Sequence, residues 1–167
     1  MRFSLLPKAM TGALTDLTPA YLQNKGIRLL MLDFDNTILP YTTSIPDEKT
    51  EQWIQMVKAS GIALCVVSNS RKMRARDFCR LRGIGCIRNA RKPFSGGICA
   101  CLEKYNVASK EAALVGDQIF TDILGANCAG VHSILVKPIN NHNFWLKLRH
   151  ILEKPFIFFA GNRRINR

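Results

Sequence analysis

Apolar residues along this chain gather in short continuous runs, separated by stretches where they recur at helical spacing. The runs fall at Ile27–Leu32, interrupted by Arg28, at Ile62–Val67, Ile84–Ile87 and Ala112–Val115, and at Val131–Val136, which holds His132 and Ser133. A run that is apolar throughout and bounded by turn residues is the pattern of a strand buried on both faces, as in a parallel sheet. Between the first two runs, a helix opening at Asp47-Glu48 carries Trp53, Ile54 and Val57 on one side and stops at Gly61. Further helices are predicted over 71–82 with Gly83 closing it, over 95–105, and over 121–129 with Gly130 past its end. Thr18-Pro19 opens a short helix that Gly26 ends. Residues 1–17 are weakly patterned, with Pro7 and Gly12 as breakers, and 40–46 read as a loop or small flap. Strands alternating with amphipathic helices predict βαβ units and right-handed crossovers, hence an α/β protein with a parallel sheet flanked by helices.

At 167 residues the chain fits a single domain, 1–167, with its catalytic core over about 27–136. It has no internal repeat, low-complexity tract or evident linker. A net charge of +12 favours anionic partners: nucleic acid, an anionic membrane surface or a phosphorylated substrate. The cations cluster, with nine Arg/Lys from Arg71 to Lys92 against one acid, Asp77. Six cysteines without a C-x-x-C spacing, mostly inside apolar runs, suit reduced thiols in a reducing compartment. Cys99-Ala-Cys101 reads more readily as helix packing than as a metal site. The first residues lack a signal-peptide pattern, and no stretch reaches the ~18 apolar residues of a spanning helix. The expectation is a cytoplasmic protein, with peripheral attachment to the inner face of a membrane as an option.

The chemistry lies where the apolar runs end. Leu29–Leu32 runs directly into Asp33-Phe34-Asp35-Asn36-Thr37; the second run ends at Ser68-Asn69, Lys92 follows the third, and the fourth ends at Gly116-Asp117 with Asp122 beyond. In a parallel sheet all carboxyl ends share one edge, so groups 84 residues apart converge. Two carboxylates at one strand end repel unless a hard cation neutralises them, which points to Mg²⁺. The set suits phosphoryl transfer. Asp33 serves as nucleophile and metal ligand, and Asp35 as general acid and base. Thr37, Ser68 and nearby amides hold phosphate oxygens, Lys92 offsets negative charge, and Asp117 adds a hard oxygen ligand. Ser68 is also placed to cap the following helix, and Asp122 to cap or to neutralise. His132, His142 and His150 lie outside these strand ends and read as packing or solvated groups.

Asp33-Phe-Asp35-Asn-Thr37, Val67-Ser68-Asn69, Lys92-Pro93 and Gly116-Asp117-Gln118-Ile-Phe-Thr121-Asp122 resemble, in order, the four motifs of haloacid-dehalogenase (HAD) superfamily phosphatases. The stretch from Gly116 to Asn127 is similar to the class IIIA, YqeG-type branch, related to mitochondrial phosphatidylglycerophosphate phosphatases. That resemblance implies a Rossmann-like HAD fold, Mg²⁺ and an aspartyl-phosphate intermediate. It also implies metal ligation by the Asp35 backbone carbonyl, with Gln118 and Asp122 supporting the site. The spacings between motifs leave no room for a cap domain, which favours bulky substrates or an oligomeric neighbour that covers the site.

Residues 143–154 read as an amphipathic helix. Pro155 precedes Phe156-Ile-Phe-Phe159, and Arg163, Arg164 and Arg167 follow. Basic residues beside aromatics fit interfacial anchoring, while packing on the sheet is the other reading of both segments. The function expected is phosphomonoester hydrolysis, with a lipid phosphate such as phosphatidylglycerophosphate leading. A soluble metabolite, nucleotide or protein phosphatase is the alternative. Nucleic-acid binding through Arg71–Lys92 ranks behind both, because binding alone needs no acidic metal site. Oligomeric state is not legible.

Overall fold

The structure is a computed structural model that describes residues 3–140 and 155–165. Six parallel strands form one sheet in the order β1-β6-β5-β2-β3-β4, with β1 at Ala9–Thr11, β2 at Leu29–Leu32, β3 at Ala63–Val67, β4 at Gly85–Ile87, β5 at Ala112–Gly116 and β6 at His132–Val136. Helices α1 (Pro19–Asn24), α2 (Glu48–Ala59), α3 (Met73–Arg82), α4 (Gly96–Tyr105) and α5 (Leu124–Ala129) connect them.

Alternation along the central strands divides the core in two. Leu30 and Leu32 of β2, with Leu64, Val66, Ala113 and Val115, pack against Leu22, Trp53, Ile54, Val57 and Phe78. Leu29 and Met31, with Cys65, Val67 and Leu114, face Ile98, Cys101 and Ala126 on the other side. Burial on both faces is why these strands read as unbroken apolar runs.

Local chemistry sets the ends of the helices. Thr18 and Asp47 cap α1 and α2 by accepting the amides of Tyr21 and Thr50. Gly83 and Gly130 end α3 and α5 in the left-handed conformation, and Asn106 does the same for α4. The expected helix over 121–129 starts earlier, as a π-helical turn at Ile119–Ile123 that runs into α5.

β1 falls in the segment that the sequence pattern leaves unassigned. It pairs in parallel with β6, from Ala9 on Ile134 to Thr11 on Val136. On its free side, Met10 forms an isolated bridge with Arg164, and the Ile165 amide donates to the Met10 carbonyl at 2.9 Å.

The expected helix over 143–154 lies outside the described residues. Residues 155–159 are helical. Phe156 and Ile157 pack on Met10, Ile119, Ile123 and Leu135, while Phe158 and Phe159 stand exposed. One side of the tail segment therefore packs on the fold and the other faces out. Among the described residues no helix is long and apolar enough to cross a membrane.

Candidate active site

β2 is flanked by β5 on one side and β3 on the other, and the chain winds outward from it in both directions. The crevice at such a switch point is where open α/β sheets bind ligands. Asp33 emerges there, its amide held by the Val115 carbonyl of β5 at 2.8 Å. Asp117 follows β5 by one residue, and Asp122 lies in the π-helical turn beyond. All three are buried, and one oxygen from each falls within 4.8 Å of the others.

Lys92 enters this cluster from the far side of β3. After β4 the chain is tied to the loop following β3, with the Ala90 amide on the Ser68 carbonyl at 3.0 Å. The Asn69 side chain then grips Lys92 at both backbone groups, accepting its amide at 2.7 Å and donating to its carbonyl at 2.9 Å. The Lys92 ammonium reaches Asp33 at 2.7 Å and Asp122 at 2.8 Å. Asp122 accepts the Gln118 amide through its other oxygen at 3.0 Å. Burial works to lower the Lys92 pKa, but the two carboxylates outweigh it and hold the ammonium above the ordinary lysine value. Burial pushes the Asp33 carboxyl up, Lys92 pulls it down, and the nearby Asp122 charge pushes it up again.

One ammonium therefore stands against three buried carboxylates. A hard divalent cation fits that donor set, being oxygen-only, compact and short of positive charge.

The turn after β2 organises Asp117. Asn36 adopts a positive φ of 69°, which asparagine tolerates, and its side chain donates to Asp117 Oδ2 at 3.4 Å. The same amide group donates to the Asn140 carbonyl at 3.0 Å and accepts the Asn140 amide at 2.8 Å. Thr37 donates to Asp117 Oδ1 at 3.4 Å. The structure thus places the Thr37 hydroxyl on the Asp117 carboxylate.

Asp33, Asp35, Ser68, Asn69 and Lys92 line one cavity, together with Gln118 and Asp122. Tyr41, Ser70 and Thr121 complete it, and the sequence reading assigns none of these three a role. Ser68 accepts the Ser70 amide at 3.1 Å, a local turn; the residue preceding α3 is Lys72, so Ser68 does not cap that helix.

Asp35 stands apart from the three clustered carboxylates. Its partner is Arg74 of α3, whose Nη1 lies 2.7 Å from Asp35 Oδ1. The same guanidinium donates to the Pro40 and Thr43 carbonyls and sits 5.0 Å from the centre of the Phe34 ring. Arg74 is invisible in sequence because it is one of nine cations in its run. The fold breaks that run apart: Lys92 enters the site, Arg82 bonds Glu51 at 2.7 Å, and Arg88 donates to the Arg71 carbonyl.

Residues 2–140 match the family described as mitochondrial PGP phosphatase. The chain belongs to this family. It is 29% identical over 134 residues to the probable phosphatase YqeG of Bacillus subtilis (strain 168), covering 80% of this chain and 78% of the relative. Solved structures of lower identity share the fold. A HAD-superfamily hydrolase from Ehrlichia chaffeensis superposes with a TM-score of 0.52 at 18% identity, over 77% of this chain and 97% of its own. The cobalt-bound deoxy-D-mannose-octulosonate 8-phosphate phosphatase from Haemophilus influenzae superposes with a TM-score of 0.53 at 16% identity, over 82% and 91%. This PGP-phosphatase family member is accordingly a HAD-type phosphatase with the Rossmann-like HAD fold.

Proposed function

We propose that the protein is a Mg²⁺-dependent phosphomonoester hydrolase working through an aspartyl-phosphate, with phosphatidylglycerophosphate as its substrate. One observation carries the reading: Asp33, Asp117, Asp122 and Lys92 close into a single buried cluster at the mouth of the sheet. Membership of the PGP-phosphatase family supports the choice of substrate.

Asp33 and Asp117, with the Asp35 backbone carbonyl, would hold the cation, while Asp122 is occupied by Lys92 and the Gln118 amide. Bound there, the metal would neutralise phosphate and carboxylate charge together. An Asp33 oxygen attacks phosphorus, the bond from phosphorus to the ester oxygen breaks, and the leaving alkoxide takes a proton from Asp35. Asp35 then removes a proton from water, whose oxygen attacks the same phosphorus. The bond to Asp33 breaks, releasing inorganic phosphate and restoring the carboxylate. Lys92 orients Asp33 and offsets its charge before attack, and Ser68 with Asn69 offers donors to the phosphate oxygens.

The test is phosphate release from phosphatidylglycerophosphate and from a panel of soluble phosphomonoesters, with and without Mg²⁺, by the wild type and Asp33→Asn. The variant should fold and release no phosphate. Turnover by Asp33→Asn would sink the nucleophile assignment, and preference for a soluble ester would replace the lipid.

A further inference from the structure

Loops on the carboxyl edge of the sheet carry large apolar side chains that stand exposed among the described residues. Ile45, in the flap after β2, is 82% exposed, and Phe94, two residues past Lys92, is 76% exposed. Tyr41 in the same flap, Met73 at the start of α3, and Ile139 after β6 are each about half exposed. Among the described residues, the exposed large apolar side chains number ten, and five of them stand on this one edge. They come from the segments after β2, β3, β4 and β6, so they ring the cavity mouth instead of lying along one helix.

Exposed cations alternate with them: Arg71 and Lys72 before Met73, Arg91 before Phe94, and Lys137 before Ile139. The exposed acids nearby are compensated or set back. Asp77 pairs with Arg80 at 3.8 Å, Asp47 caps α2 through the Thr50 amide, and Glu48 follows it in the first turn of that helix. Apolar tips interleaved with cations are what the boundary between headgroups and acyl chains selects, because each class of side chain finds its own solvent there. A globular protein partner would require a contiguous apolar patch at the centre of the contact. Here the centre is a polar cavity.

We infer that this rim docks the protein on an anionic lipid leaflet, with Ile45 and Phe94 inserted and Arg71, Lys72, Arg91 and Lys137 on lipid phosphates, so that the leaflet closes the cavity. The inference rests on the proposed lipid phosphomonoesterase reading and adds the surface that reaches the substrate. It also makes the cavity mouth, and not Phe158 and Phe159 of the tail, the main contact. Between β2 and α2 only residues 33–47 pass over the mouth, with no helix or strand of the sheet among them. The leaflet supplies the cover that excludes water.

Co-sedimentation of the full chain with phosphatidylcholine vesicles, with and without about one-quarter phosphatidylglycerol, tests this. Wild-type protein should pellet with the anionic vesicles and be released as salt rises. The double variant Ile45→Ser/Phe94→Ser should lose about tenfold in apparent vesicle affinity, whereas Leu81→Ser and Phe158→Ser/Phe159→Ser should bind nearly as the wild type does. Arg71→Ala/Lys72→Ala should bind more weakly and with a shallower salt dependence. All of these should hydrolyse a small soluble aryl phosphate at the wild-type rate, which separates docking from folding. No binding by the wild type, unchanged binding by the Ile45/Phe94 variant, or loss confined to the tail variant would overturn the inference. Docking by a protein that releases phosphate from no ester would leave the surface standing and refute the proposed function instead. Hydrolysis of detergent-dispersed lipid phosphate without vesicle binding would do the reverse.

Discussion

The guanidinium of Arg74 joins the Asp35 carboxylate, at 2.7 Å, to the Pro40 and Thr43 carbonyls of the flap. One side chain on α3 thereby fixes the direction of the proposed acid/base and the position of the loop over it. Arg74→Ala should slow phosphate release by about 10- to 100-fold for esters with poor leaving groups and much less for an aryl phosphate, whose leaving oxygen needs little protonation. Arg74→Lys should recover little, because a lysine cannot spread fixed donors over a carboxylate and two carbonyls. Equal losses for good and poor leaving groups would mean that Arg74 acts only on the loop.

Lys92 is almost fully buried between Asp33 and Asp122. Lys92→Met leaves those carboxylates facing each other and Asp117 without an ammonium, which should cost about 3–5 kcal/mol in urea unfolding. Mg²⁺ should then stabilise the variant more than it stabilises the wild type, seen as a larger rise in melting temperature. An equal rise in both would argue that the cation sits away from these carboxylates.

Gly116 ends β5 directly beneath Asp122, where a Cβ would lie 2.3 Å from the Asp122 carboxyl carbon. Gly116→Ala must push Asp122 off Lys92, so we expect both activity and stability to fall, the latter by about 1–3 kcal/mol. Thermal unfolding and phosphate release on the same preparation check this. Gly96→Ala, where a Cβ meets nothing within 4 Å, serves as the control.

His132 opens β6 at the edge opposite the site, with its ring 3.3 Å from the Tyr21 hydroxyl. Burial, aided by Lys8 and Lys25, lowers its pKa from 6.5 to about 4. Between those values the unfolded chain holds a proton that the folded chain does not, so stability rises with pH across the window and is lost as pH falls through it. The loss should be on the order of 1–2 kcal/mol, given the ring's partial contact with solvent. Urea unfolding at about pH 7 and about pH 5 should show the drop, and His132→Gln should flatten it.

Residues near one another along the chain were the legible ones. Leu29–Leu32 running into Asp33 states its strand, its burial and its chemistry within a few positions, and the helix stops at Gly83 and Gly130 carry their own local cause. β1 was not legible, because Ala9-Met10-Thr11 is three residues long and is made a strand by β6, more than 120 positions away. Neither was the Arg74–Asp35 pair, which depends on α3 crossing back over the flap. Thr37 shows a subtler limit: its place in the motif was plain, but its hydroxyl faces Asp117 because Asn36 turns the backbone through a positive φ. The basic run from Arg71 to Lys92 reads as one face, yet the fold sends its members to a buried site, a helix pair and a loop.

The bond from Ile165 to Met10 bears on self-association. A three-residue outer strand offers its unpaired amides and carbonyls to any other extended chain, including a second copy of the same protein. With Met10 engaged by Arg164 and Ile165, and the Arg163 side chain bonded to the Pro7 carbonyl at 2.7 Å, that margin of the sheet is already occupied by its own polypeptide. Shortening the protein before residue 161 would therefore uncover a sticky border, and the symptom would be precipitation on concentrating the sample, ahead of any change in how the carboxylates handle phosphate.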